Sequence, residues 1–303
     1  MPMRGNDLLA LLALSALWGG GFLFVRIAVP DFGPFALAAV RVLLAGGLMA
    51  AWAAARGGVP PFWRRGRAYL VLGALNVAFP FTLSSWALLT VPASLAAIIM
   101  ATVPLFTAPL AAVRLRAVPS PRQVAGLVVG FVGVAILVGL GPAAIDEESL
   151  AAIGALLATA FFYAVGGIYT ARKFTGVSPI ESTIGQQFAA FALLLPFVLA
   201  APPVGIPSTG AIGALVLLIV FPTVVAYLLF FRLISAVGPT QTAMTAYLIP
   251  VFGVVWGVVL LGEAVGPATF VGMGVILAGV VLVTGAGRAF ADRGRPARPE
   301  TSE

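Results

Sequence analysis

The sequence contains no cysteine and no histidine. Disulfides and cysteine-ligated metal sites are therefore excluded, and the commonest metal ligand and neutral-pH proton carrier is missing. No metal and no cofactor are expected. Charge is scarce as well: 9% of the residues are charged and 61% are hydrophobic, whereas soluble globular domains carry roughly a quarter charged residues. Such a chain is solvated by lipid. The polar/apolar alternation with a period of two that marks a membrane barrel is absent, which leaves helices as the spanning elements. The pI near 10.8 does not point to nucleic acid, because the arginines lie in short connections beside apolar stretches and form no basic domain.

What is present is a series of long apolar runs. A hydrocarbon core of about 30 Å needs roughly 20 residues of helix, which gives the 303-residue chain room for about ten spans. The expected spans are 7–29, 33–55, 66–88, 92–113, 121–141, 149–171, 178–201, 208–232, 239–261 and 266–287. Arg4 before the run Leu8 to Leu17 resembles the start of a signal peptide, but no small-residue cleavage site follows, so a retained helix is expected. With the N-terminus in the cytoplasm, the inside connections hold Arg56, Arg64, Arg65 and Arg67, then Arg114, Arg116 and Arg122, then Arg172 and Lys173, then Arg232. The final segment, 288–303, is expected to be a disordered basic cytoplasmic tail. The outside connections hold Asp31, Asp146, Glu147, Glu148 and Glu263 and no basic residue. Positive-inside counting thus predicts both termini in the cytoplasm.

The pattern occurs twice. A shift of 146 residues superposes Pro104 on Pro250, Phe106 on Phe252, Pro121 on Pro267, Gly126 on Gly272, Gly133 on Gly279 and Gly139 on Gly285. A shift of 145 brings Pro34 onto Pro179, and one of 142 brings Phe79-Pro80 onto Phe221-Pro222. Five spans per unit must invert the second copy, and the charges follow: the connection with Arg114, Arg116 and Arg122 corresponds to the one with Glu263. The expected units are residues 1–145 and 146–287.

These residues resemble the drug/metabolite transporter superfamily in its ten-helix branch with two EamA-type repeats, and within it the YddG-type exporters of aromatic and other amino acids. The resemblance is carried by Leu17-Trp18-Gly19-Gly20-Gly21-Phe22, Arg41, Pro104, Pro250 and Leu261-Gly262-Glu263. It implies an all-helical integral membrane protein with two inverted repeats around a central cavity. The first copy has Arg116-Ala117 where the second has Gly262-Glu263, so any role of that glutamate applies to Glu263 alone.

Polar groups within the spans are the candidates for function, because each costs several kcal/mol in lipid unless paired or hydrated. Arg41 lies roughly 12 Å inside its span at 1.5 Å per residue. It either lines the cavity and attracts a carboxylate or serves as a buried hydrogen-bond hub. No acid occupies the middle of any span, so the membrane-embedded glutamate by which small multidrug exporters of this superfamily exchange protons for cations has no counterpart. Residues able to line a path are Trp18, Asn76, Phe79, Ser84, Trp86, Tyr163, Gln186, Gln187, Tyr227, Gln241 and Tyr247, and aromatic faces with a few amides suit an amphipathic solute. Under the 145-residue shift Trp18 corresponds to Tyr163 and Arg41 to Gln186. The candidate binding set is Trp18, Arg41, Asn76, Phe79, Tyr163, Gln186, Tyr227 and Tyr247. Pro80, Pro104, Pro222 and Pro250 are expected to kink their helices without breaking them. The glycines at 19–21 are expected to weaken the first helix beside the path, whereas those of spans five and ten are expected to serve close helix packing or dimerisation.

The expected function is alternating-access export or facilitated passage of amino acids and related metabolites, by a monomer or homodimer in the inner membrane. A sugar-phosphate or nucleotide-sugar exchanger would need several converging cations, a multidrug exporter a buried acid, and a membrane-embedded enzyme a catalytic cluster.

Overall fold

The computed structural model describes residues 4–116, 118–139, 146–203 and 205–284. The expected tail 288–303 and the connection at 140–145 lie outside the described residues. Within them the fold is all-helical, in ten spanning elements. They are α1 (Gly5–Phe32), α2 (Pro34–Ala54), α3 (Phe62–Ala87), α4 (Ala93–Arg114), α5 (Pro121–Gly139), α6 (Glu147–Lys173), α7 (Pro179–Ala200), α8 (Thr209–Val237), α9 (239–261) and α10 (Pro267–Thr284). All except α9, which is interrupted at 243–244, are long and apolar enough by themselves to cross a membrane.

Helix starts follow from local chemistry. Proline opens α2, α5, α7 and α10, where its missing N–H costs nothing and its fixed φ already suits a helix. These are the repeat-related pairs Pro34/Pro179 and Pro121/Pro267. Asp146, Ser178 and Ser208 accept the N–H groups of Ser149, Glu181 and Ala211 and so cap α6, α7 and α8.

Packing obeys a pseudo-two-fold relation. The contact of α1 with α8 has its counterpart in α6 with α3, and that of α1 with α9 in α6 with α4, while α2–α7, α4–α9 and α5–α10 pair across the axis. The α5–α10 contact is the most intimate. A Cβ on Gly133 would come 2.6 Å from the Ile276 nitrogen, and one on Gly272 would come 2.8 Å from the Leu137 Cβ. Gly126, Gly133, Gly272 and Gly279 are thus consumed by close backbone approach within the chain, whereas Gly139 meets nothing within 4 Å. Gly274, also in α10, meets nothing within 4 Å.

Three of the four prolines stand at helical irregularities, and the helices around Pro80 and Pro222 continue through them. Residues 74–78, immediately before Phe79-Pro80, and residues 219–225, around Pro222, are both π-helical, so the same irregularity recurs in the two copies. Pro104 stands at the second position of a new helical segment after a break at 101–102. Pro250 lies within a regular α-helical stretch. The glycines at 19–21 do not open α1, which runs unbroken. Gly19 packs on Gly253 and Ile249, Gly20 on Trp256 and Gly21 on Pro222, so the run serves packing against α8 and α9.

The two ends of the bundle differ in chemistry. At the acidic face three carboxylates tie the repeats together: Asp31 accepts from the Ser208 N–H at 2.8 Å, Glu148 from the Thr90 hydroxyl at 2.9 Å, and Glu263 from the Ala93 and Ser94 N–H groups at 2.6 and 2.9 Å. Arg26 also reaches this end, where its guanidinium donates to the Leu88 carbonyl. At the basic face Arg65 donates to the Lys173 carbonyl, and the buried Tyr69 donates to Glu181 at 3.1 Å.

Candidate functional site

The site grows out of the two π-helical irregularities. Pro222 supplies no N–H to the Leu218 carbonyl, and the hydroxyl of the next residue, Thr223, donates to that carbonyl at 2.8 Å. The Thr223 oxygen still has a lone pair, and it accepts the Nε–H of Arg41 at 3.1 Å. On its other side the Arg41 guanidinium lies over the Phe81 ring, 3.9 Å from the centroid. Phe81 and Thr223 are equivalent under the 142-residue shift, so the same position in both copies grips one arginine, once by a hydroxyl and once by a π face.

Tyr163 of α6 and Tyr227 of α8 are the phenols in the field of that guanidinium. Gln186 stands beside Tyr227, and its Oε1 lies 3.5 Å from the Asn76 Nδ2. Trp18 meets Tyr227 edge-on at 6.4 Å and packs on Phe230 at 5.4 Å. Six of the eight residues proposed from sequence, Trp18, Arg41, Asn76, Tyr163, Gln186 and Tyr227, are therefore connected in one cluster between the repeats. Among the described residues no carboxylate pairs with Arg41. Its contacts are the Thr223 hydroxyl and the Phe81 ring, and its two terminal nitrogens carry no bond to protein.

The other two residues lie elsewhere. Phe79 is stacked on Phe162 at 4.9 Å in the α3–α6 contact and is half exposed. Tyr247 shares a 2.8 Å hydrogen bond with Thr284, which ties α9 to α10. Both were selected by residue type, and the rotation of their helices turns them away from Arg41. Ser84 is occupied by the Pro80 carbonyl at 2.7 Å. Gln187 is fully buried beside Gly46, with neither amide atom bonded. Phe81 and Thr223 were missed, although the shift that aligned Phe79-Pro80 with Phe221-Pro222 already set them opposite each other.

A cleft of about 760 Å³ opens at the acidic face, lined by the α1–α2 turn, Trp86 in the last turn of α3, Leu89 just beyond it, and Pro202, Pro203, Ile206 and Ser208 before α8. Phe35 and Ala36 line it, and Arg41 lies about 8 Å further along α2 than Ala36 at 1.5 Å per residue.

Two inverted helical copies meeting at a partly buried cation that has no carboxylate partner among the described residues match the architecture of a membrane transporter. The profile of the EamA-like transporter family matches residues 6–139 and again 150–285. The chain belongs to the EamA-like transporter family. The uncharacterized inner membrane transporter YedA of Escherichia coli strain K12 is 30% identical over 287 residues, 94% of this chain and 91% of that protein. A probable amino-acid metabolite efflux pump of Salmonella typhimurium is 27% identical, covering 92% of this chain and 94% of that one. A probable terminal-alkyne amino-acid exporter of Streptantibioticus cattleyicolor is 26% identical, covering 90% and 92%. A solved structure titled only as the crystal structure of a protein superposes with a TM-score of 0.67 at 22% identity, covering 95% of this chain and 99% of that one, and it supports the fold. As an EamA protein the chain is a multi-pass inner-membrane transporter of a small molecule.

Proposed function

We propose that this EamA protein exports or facilitates the passage of amino acids with apolar or aromatic side chains, by alternating access around the Arg41 cluster. The observation that carries the reading is the guanidinium of Arg41, held in the bilayer by Thr223 and Phe81 and left without a carboxylate. A charge within the bilayer is costly without a counter-charge, and a substrate carboxylate would supply that counter-charge in bidentate geometry. Trp18, Tyr163 and Tyr227 offer faces for an apolar side chain, and Gln186 and Asn76 offer amides. A single cation suits a carboxylate better than a phosphate, and two of the relatives carry amino-acid export in their names. The acidic face is outward and both termini are cytoplasmic, as positive-inside counting requires.

The test is uptake of radiolabelled phenylalanine into sealed vesicles containing only this protein. Arg41→Gln is expected to weaken uptake by roughly 1.5–3 kcal/mol, the worth of a charge-assisted hydrogen bond, with much less effect on a neutral aromatic analogue. Arg41→Lys should rescue only in part, since a point charge lacks the planar fork. Equal losses for charged and neutral solutes, with a lowered melting temperature, would make Arg41 a structural hub.

A further inference from the structure

An α-amino acid carries an ammonium group as well as a carboxylate, and the site holds nothing of opposite charge for it. The chain has ten acidic residues. Asp292, Glu300 and Glu303 follow the last spanning helix in sequence. The others, Asp7, Asp31, Asp146, Glu147, Glu148, Glu181 and Glu263, stand at helix ends, and six of them are engaged there, Asp7 by the Arg4 N–H at 3.2 Å. Asp31, Glu148 and Glu263 tie the repeats at the acidic face, Glu181 accepts from Tyr69, and Asp146 caps α6. None of these seven pairs with Arg41, whose cluster otherwise holds phenols, amides, two further aromatic rings and one hydroxyl. That hydroxyl, on Thr223, already donates to Leu218 and accepts from Arg41.

Charge then orders the ligands. A monocarboxylate on Arg41 leaves the buried site neutral. A zwitterion leaves one net positive charge in a low-dielectric space, and a free amine adds a second cation to the first. Gln186 and the faces of Tyr163, Tyr227 and Trp18 can accommodate an ammonium, but they do not neutralise it.

We infer that the site selects its ligand by the carboxylate alone, so that aromatic monocarboxylates and N-acylated amino acids, which lack an ammonium, are ligands at least as good as the parent amino acids. This rests on reading the Arg41 cluster as the substrate cavity. It adds a ligand class that an amino-acid transporter is not required to take.

The experiment is equilibrium binding of radiolabelled 3-phenylpropionate to the full-length protein purified in detergent near neutral pH, with a series of competitors. N-acetylphenylalanine should displace it at least as well as phenylalanine does. Phenethylamine and the neutral 3-phenylpropanamide should each be weaker than unlabelled 3-phenylpropionate by about tenfold or more, the worth of one charge-assisted hydrogen bond. In Arg41→Gln the acid and its amide should become nearly equal. The ligand series on the unaltered protein decides the matter even if that variant folds poorly. Phenethylamine displacing as well as the acid would overturn the inference, as would phenylalanine uptake into vesicles without 3-phenylpropionate binding. Neither uptake of the amino acid nor binding of the acid would instead remove the Arg41 cluster as the substrate cavity.

Discussion

Glu263 offers the sharpest separation between a structural and an energetic role for a carboxylate in this fold. It lies in the turn between α9 and α10, and its two oxygens accept the N–H groups of Ala93 and Ser94, the first two residues of α4, at 2.6 and 2.9 Å. Those N–H groups have no partner within their own helix, and Pro92, at the N-cap, has no side chain that could serve them. The second repeat therefore caps a helix of the first, with its negative charge at the positive end of the helix dipole. Glu263→Gln keeps one acceptor and loses the charge, and Glu263→Ala loses both acceptors. A hydrogen bond to a charged group contributes about 1.5–3 kcal/mol and the dipole interaction about 0.3–1 kcal/mol. Since Glu263 is only partly buried, Gln should cost about 1–2 kcal/mol and Ala about 2–4 kcal/mol. Thermal unfolding followed by tryptophan fluorescence should then fall by about 2–4 °C for each kcal/mol, in the order wild type, Gln, Ala. Phenylalanine uptake should run down its own gradient without an imposed pH difference, and the Gln variant should keep most of it below its own melting temperature. A Gln variant with unchanged melting temperature and a lost, strictly proton-driven transport would refute this reasoning and make Glu263 a proton carrier.

Gly279→Leu should abolish folded protein on size exclusion, because a Cβ there runs into the Gly130 backbone, whereas Gly274→Leu should be tolerated. Gln187→Leu should leave the melting temperature unchanged or raise it, since it removes a fully buried amide that makes no hydrogen bond, and a fall of about 1 kcal/mol or more would mean that the amide has a partner. A cysteine introduced at Glu147 should react with a membrane-impermeant thiol reagent from outside the cell and one at Arg64 should not. The reverse pattern would invert the topology.

Arg41 and Gln186 were paired by the repeat shift, and they do belong to one cluster, because inverted copies bring equivalent positions toward a common axis. Trp18, Tyr163, Tyr227 and Asn76 join them. Phe79 and Tyr247 have the same chemistry and the same kind of span, yet they face Phe162 and Thr284. Each residue advances about 100° around a helix, and spans that are apolar on every side give no pattern from which that angle can be read. The glycine run at 19–21 was misjudged for the same reason. Its meaning depends on Gly253, Trp256 and Pro222, more than two hundred residues away in sequence.

By itself, then, the sequence determined the class of protein, the ten spans, the duplication and its inversion. These follow from hydrophobicity, length and the sign of charge in successive connections, which are local quantities that the bilayer acts on directly. Only the tertiary structure decided that Phe81 and Thr223 grip Arg41, that Glu263 caps a helix of the other repeat, and that the paired glycines of α5 and α10 meet within one chain. Those contacts depend on how each helix is rotated and which neighbour it meets, and close packing sets both across the whole bundle at once.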